Sequence, residues 1–275
     1  MRLVRSLAII TIIHLSFGLQ AQLVGEMDDE SKLYAETKQV NQFFRRFNGE
    51  EDEKGNRYYP KDKRYRQDKL RKKYLEILFD NSNTNLDKAI KKEFVDAVID
   101  RPAFLDFHKD SWFAEVNTTF TLNGKQENIK LFLKLEKAHK GTQWDIFKIH
   151  SDTFMSHFKR DTSKVQQFLH PLSHELDFMN LRKAFANKDS VSQFTERSFQ
   201  PDQLSIFVYE ISRGALKFET VNDVKFHFFQ IDNWYFELSQ FNRDGYNRGW
   251  LISNLTKLKS AQDEAILKKY LFYEN

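Results

Sequence analysis

The chain has 275 residues, of which 40% are hydrophobic and 30% charged, so it is globular and long enough for one large core or two ordinary ones. It contains no cysteine, which excludes disulfides, thiol nucleophiles and cysteine-based zinc sites. The formal net charge is +4, and without Arg2 and Arg5 the 43 basic residues fall to 41 against 39 acidic ones. So small an excess indicates neither nucleic acid nor an anionic membrane as a partner.

Residues 1–21 have the pattern of a secretory signal peptide. Two arginines precede the apolar run at residues 7–17, and Ala21 supplies a small residue before Gln22. The run is short for a transmembrane span, although an uncleaved anchor is the alternative. A lipid anchor would need a cysteine at the cleavage point. We therefore expect a periplasmic or secreted protein of the bacterial envelope.

Helical periodicity predicts three helices before the first strands, at about residues 32–47, 64–79 and 86–99. Ser31 or Asp29 can cap the first helix, and Arg101-Pro102 ends the third.

Residues 112–150 then predict a three-stranded antiparallel meander. Trp112, Ala114, Val116, Phe120 and Leu122 share one face of the first strand, and Asn123-Gly124 is a strong hairpin turn. The return strand covers residues 129–135 and the third strand residues 143–149.

The second half repeats this order of helices before strands. Residues 151–171 predict a linker with a short helix, and two further helices follow at 172–185 and from Pro201 to Ile211. A second strand set covers residues 224–231, 234–241 and 249–255, and a closing helix covers 261–273. The prediction is an α+β protein of two similar modules, each with helices followed by a curved antiparallel sheet of three to four strands.

The strand pattern resembles the NTF2-like (cystatin-like cone) superfamily, in particular small exported domains of bacterial envelopes. The segments that carry the resemblance are Thr118–Gly124, Ile129–Glu136 and Trp144–Ile146 in the first half, and Val224–Phe228 and Gly249–Ile252 in the second. It implies a first module at 32–150, a linker at 151–171, a second module at 172–258 and a closing helix at 259–275. Members include enzymes, binding modules and transport factors, so the resemblance implies a fold and no single function.

Motifs for catalysis or metal binding are absent from the sequence. No phosphate-binding glycine loop, nucleophile elbow or His-Glu-x-x-His occurs. His170, His174 and Glu175 have a spacing that could hold a metal, but no third strong ligand follows. We therefore predict no catalytic, cofactor-binding or metal residues and no cofactor.

Three other features have two interpretations each. Residues 61–73 hold eight basic residues, either a polyanion patch or the solvated face of a helix, and the balanced charge favours the latter. The tryptophans could line pockets or fill the core; they are Trp112, Trp144, Trp234 and Trp250. The aspartates at strand edges are typical of turns; they are Asp223, Asp232 and Asp244.

Two functions of different class are consistent with these observations. The first is a non-catalytic, exported, two-module protein that binds an envelope protein, a peptide or an apolar small ligand. The second is a SnoaL-like pocket enzyme that uses an Asp/His pair for proton transfer, which needs an acid and a base facing the cavity. The assigned inward positions are almost all apolar, and His227 is best explained as a hydrogen-bonded core histidine. This favours the binding protein.

Overall fold

The computed structural model describes residues 39–52, 55–138, 141–156, 168–186, 188–196, 199, 201–243 and 247–274. The predicted signal peptide and the caps Ser31 and Asp29 lie outside these residues. The chain forms two compact units. The first contains the described residues up to Phe79 together with Phe241–Leu251, and the second contains Asp80–Gln240 together with the described residues from Ile252 onward.

The helices and strands follow the sequence order closely. The helices are α1 (Val40–Asn48), α2 (Asp68–Ile77), α3 (Lys88–Asp100), α4 (Asp152–Ser156), α5 (Arg182–Ala186), α6 (Gln203–Ser212) and α7 (Ala261–Leu271). The strands are β1 (Trp112–Leu122), β2 (Lys125–Ala138), β3 (Gly141–His150), β4 (Leu216–Ile231), β5 (Trp234–Phe241) and β6 (Gly249–Lys257). Short 3₁₀ turns occupy Pro171–Leu176, Met179–Leu181 and Lys188–Phe194.

The first unit is built on α1 and α2. Gly49 ends α1 with φ 74°, and a Cβ there would lie 3.3 Å from the Arg71 side chain. Phe43, Phe47 and Leu75 are buried between the helices. The helix predicted from residue 64 begins only at Asp68, because the preceding residues form turns.

The strands of both predicted modules form one six-stranded sheet in the order β3-β2-β1-β4-β5-β6. The α+β class is confirmed, but the two separate sheets of the prediction are one. The joining pair is β1 with β4, which run antiparallel from Trp112 opposite Phe228 to Leu122 opposite Leu216. Strand β4 begins at Leu216 instead of Val224, and these additional residues make the long pairing with β1 possible.

One face of the sheet, the helix face, carries the predicted apolar alternation of β1. Phe120 contacts Phe207 of α6 with ring centroids 5.4 Å apart, and Phe94 of α3 contacts Trp234 at 5.2 Å. The opposite face, the groove face, is apolar only at one end. There Phe113 and its aromatic neighbours pack beneath α7 and Phe272.

One local prediction was wrong, and the tryptophans do not all fill the core. The helix expected over residues 172–185 is broken, because Asp177 and Phe178 adopt positive φ values of 48° and 53° between short turns. Trp144 lies on the edge strand β3 and is 37% exposed, so it is not a core residue, whereas Trp112 and Trp234 are buried.

Candidate functional site

The groove face of the second unit holds a groove of about 640 Å³, which we call the sheet groove. Its floor comes from the middle of the sheet, and its walls come from α4, α7 and the residues after α7. The lining residues used below are Glu115, Lys130, His150, Asp152, Met155, Lys225, His227, Tyr235, Glu237, Tyr270, Tyr273 and Glu274. Most of these side chains are polar or titratable, in contrast to the helix face, and Leu267 and Leu271 of α7 add an apolar wall.

A buried hydrogen-bonded chain forms the floor. Glu115 on β1 and His227 on β4 are diagonal neighbours across the paired strands. His227 Nε2 is 3.1 Å from Glu115 Oε2. Because a carboxylate only accepts, Nε2 carries the proton of this bond, and Nδ1 is hydrogen-bonded to the Tyr235 hydroxyl at 2.9 Å. The expectation of a hydrogen-bonded core histidine is confirmed, since His227 is fully buried with both nitrogens engaged.

Glu115 is the electrostatic centre of the floor. Its other oxygen, Oε1, accepts a hydrogen bond from Lys130 Nζ at 3.0 Å. Burial by itself would raise the pKa of Glu115, but the hydrogen bonds and charges of His227 and Lys130 outweigh it and lower the pKa to about 2. Burial raises the pKa of the Tyr235 phenol, and the nearby charges of Glu237 and Glu115 raise it further. Glu115 is therefore an anion and Tyr235 a neutral phenol throughout the physiological range.

Tyr273 closes one side of the groove. Its hydroxyl accepts a hydrogen bond from Lys130 Nζ, and its ring stacks on His150 with centroids 3.9 Å apart. Burial would lower the pKa of Lys130, but the hydrogen bonds that it donates to Tyr273 and Glu115 reverse this and raise it. Burial lowers the pKa of His150, and although Asp152 opposes this, the positive charge of Lys130 adds to the decrease.

The lysines of the groove are paired with carboxylates. Lys225 Nζ lies 3.2 Å from Glu237, in addition to the pair of Lys130 with Glu115. A second depression of about 360 Å³ shares Lys130, His150, Asp152 and Tyr273 with the groove. Its remaining side chains are mostly amides and hydroxyls, among them Asn117, Asn128 and Asn222. The whole surface therefore suits a ligand that exchanges hydrogen bonds.

The histidines whose spacing alone could suit a metal have other partners. His170 Nδ1 accepts from the Leu172 backbone at 3.2 Å, and His174 Nδ1 lies 3.0 Å from the Pro171 carbonyl oxygen. Among the residues that the structure describes, no group of three or more histidines or carboxylates is placed to hold a metal.

The basic stretch at residues 61–73 is not a uniform surface patch. Arg71 is fully buried in the first unit, where its Nε donates to the Phe47 carbonyl at 3.0 Å and its guanidinium lies over the Phe47 ring. Burial lowers the pKa of Arg71 to about 10. Arg66 pairs with Glu50 at 2.5 Å. The solvated-face interpretation holds for much of the stretch, but Arg71 is a core residue.

Of the aspartates expected at turns, Asp223 is on β4 and accepts from Asn117 at 2.5 Å, beside the second depression. Asp232 lies in the turn between β4 and β5, as expected, and Asp244 lies outside the described residues.

Sequence reasoning missed the polar floor because it followed only the apolar face of each strand. The signal was present in β1, where Glu115, Asn117, Thr119 and Thr121 alternate with the apolar residues. Nothing in the sequence, however, indicated that Lys130 and Tyr273 would meet there.

Comparisons with protein-family models, with curated proteins and with solved structures gave no match for this chain. In the described part of the chain, no helix is both long enough and apolar enough to cross a bilayer.

Proposed function

We propose that this chain is an exported, non-catalytic binding protein of the bacterial envelope that takes a polar ligand in the sheet groove. The observation that carries the proposal is an open groove of about 640 Å³ whose buried titratable groups are engaged with one another. Its polar lining favours a polar ligand or a peptide over the apolar small ligand that the sequence suggested.

The hydrogen bonds and burial of the residues on the groove floor favour binding over catalysis. A general base must lie within hydrogen-bond reach of the proton that it takes from the substrate. Each oxygen of Glu115 and each ring nitrogen of His227 already has a partner inside the protein, both side chains are buried, and Tyr235 is 1% exposed with a raised pKa. A buried hydrogen-bonded network of this kind rigidifies a fold and positions its surroundings.

A SnoaL-like pocket enzyme is the second candidate, and one observation favours it. Glu115, His227 and Tyr235 form a carboxylate–imidazole–phenol chain that ends at the groove. Convergent titratable groups of this kind are typical of catalytic sites as well as of structural networks. The pair would be Glu/His rather than the Asp/His pair expected from the resemblance.

The binding proposal is tested with two matched tyrosines. Tyr270 lines the groove and is 78% exposed, whereas Tyr209 on α6 is 64% exposed and lies outside the groove lining. Small polar metabolites and short peptides are screened by thermal shift, and the affinity of each hit is then measured by calorimetry. We expect Tyr270→Ala to weaken binding at least about tenfold, roughly 1.4 kcal/mol, and Tyr209→Ala to leave it unchanged. Equal effects of the two substitutions would contradict a site in the groove.

The enzyme candidate is tested with substitutions that each remove one hydroxyl. Hydrolysable and isomerisable small molecules are screened for turnover with wild type, Tyr235→Phe and Tyr270→Phe. If turnover is lost only in Tyr235→Phe and the pH profile of the remaining activity changes, the protein is an enzyme and the binding proposal is wrong. If no turnover is found and a ligand binds specifically, the binding proposal is supported.

We also propose that each strand meander derives from an NTF2-like module and that the two sheets have merged edge to edge. The strand order supports this, because it reads third, second, first from either edge. Trp144 and Trp250 occupy the two outer strands, as expected for equivalent positions. The location in the envelope rests on the signal-peptide pattern of residues 1–21.

A further inference from the structure

Tyr273 and Glu274, which follow α7 and Phe272, line one wall of the sheet groove, and we call Phe272–Glu274 the strap. Phe272 anchors it, because its ring lies 4.8 Å from Phe113 and 5.3 Å from Phe132 in the aromatic cluster. The next two residues turn toward polar partners, and the turn is made by Tyr273 at φ 56°. The strap thus has an apolar anchor and a polar end.

The polar end makes contacts that resemble those of a bound ligand. The Tyr273 hydroxyl accepts from Lys130, its ring stacks on His150, and the Glu274 carboxylate accepts from Lys148. A phenol oxygen and a carboxylate therefore each meet an ammonium group, and the phenol ring also stacks on an imidazole. These contacts are made by the exposed end of the chain segment and not by the core.

The contacts of the strap are also separable from the fold. Tyr273 is 47% exposed, and the Glu274 side chain is 46% exposed, so neither contributes much buried apolar area. Exposed ion pairs such as Lys148–Glu274 typically contribute under about 1 kcal/mol. Removal of the polar end would leave the anchor Phe272 and helix α7 in place, while Lys130, Lys148 and the His150 face would become available.

We propose that the polar end of the strap is an intramolecular occupant of the ligand site, and that the groove takes a ligand with a hydroxylated aromatic ring beside a carboxylate. The proposal rests on the binding function proposed above and names the ligand chemistry for that site. Because the strap is tethered, it competes at an effective concentration on the order of millimolar. A ligand must displace the strap, and this competition lowers the apparent affinity of the groove for the ligand.

The test uses the strap itself as the probe. A variant that ends at Phe272 is titrated with a peptide of residues 272–275, Phe-Tyr-Glu-Asn, blocked at both ends. The chain has only 4 Met, so ¹³C-methyl methionine spectra are simple, and Met155 lines the groove. We expect saturable shifts of the Met155 resonance with a Kd on the order of millimolar. Binding to the full-length chain should be about twofold weaker, because a tethered competitor at an effective concentration near its own Kd doubles the apparent Kd.

Two matched controls define the chemistry. The peptide Phe-Phe-Gln-Asn keeps the shape but lacks the phenol oxygen and the carboxylate charge, and it should bind the shortened variant several-fold more weakly. In a Lys148→Gln variant, the change from Glu to Gln in the peptide should no longer alter the affinity. This is the result expected if Lys148 and the peptide carboxylate are an interacting pair. If the shortened variant fails to fold, Tyr273→Phe with Glu274→Gln in the full-length chain takes its place and should also bind the peptide more tightly than wild type.

An unmoved Met155 resonance up to about 10 mM peptide in a folded variant, or equal binding of both peptides, would overturn the proposal. The titration needs no native ligand. A negative titration would therefore refute only the proposed role of the strap and the ligand chemistry inferred from it. The proposed binding function is tested separately by the Tyr270 and Tyr209 variants.

Discussion

Glu115→Gln is the substitution that best probes the buried floor of the groove. In the folded protein its carboxylate accepts from Lys130 and His227, and its pKa falls from the usual 4.5 to about 2. The side chain is only 8% exposed, so solvent screens the pairs weakly. At about 1.4 kcal/mol per pKa unit, the charged form stabilises the fold by roughly 3 kcal/mol at neutral pH.

The sign of the pH dependence follows from the lowered pKa. The stabilisation by Glu115 is complete above the unfolded value of 4.5, and it is lost as the pH falls toward the folded value of about 2. Urea unfolding of wild type and Glu115→Gln at several pH values measures the difference. We expect about 3 kcal/mol at pH 7 and roughly 1.4 kcal/mol less near pH 3.5.

A surface pair provides the control for this experiment. Glu136 pairs with Lys134 at 2.7 Å, but its side chain is 49% exposed, so Glu136→Gln should cost under about 1 kcal/mol at any pH. A cost below about 1 kcal/mol for Glu115→Gln, or a cost that does not change between pH 7 and pH 3.5, would refute the described electrostatics of the floor.

Three further predictions concern packing, export and organisation. Trp112→Ala should destabilise by about 3–5 kcal/mol in urea unfolding, whereas Trp144→Ala, on an exposed edge strand, should cost clearly less; equal costs would contradict their different burial. Mass spectrometry of the envelope protein should find cleavage after Ala21, and an intact first residue would refute this. Limited proteolysis should cut first within residues 50–61 and 151–171, and early cuts inside the strands would count against these connections.

The period-two alternation of the strands made most of the sheet predictable. The bounds of β5 coincide with the predicted strand, and the Asn123-Gly124 turn joins β1 to β2 as expected, with φ values of 51° and 85°. Local signals of this kind depend on neighbouring residues alone. They do not specify which strand lies beside β1, and for this reason the union with β4 was missed.

The candidate site was less predictable for the same physical reason. His227 was recognised as an unusual polar residue between two phenylalanines, but its partner Glu115 is more than a hundred positions away. The alternation of β1 assigns Glu115 to the face opposite the apolar one, which by itself predicts exposure to solvent. The pairing of β1 with β2 and β4 brings Lys130 and His227 to Glu115 and makes it part of a buried network.

The most direct test of ligand binding in the sheet groove is the ¹³C-methyl spectrum of methionine in the presence of the best ligand from the screen. Met155 lines the groove, and Met179, which is 78% exposed, lies outside the groove lining and serves as the internal control. We predict that the ligand shifts the Met155 resonance saturably, with the same Kd as calorimetry, and leaves Met179 unchanged. A ligand that binds in calorimetry while Met155 stays unmoved, or that shifts Met179 instead, would contradict the assignment of the groove as the binding site.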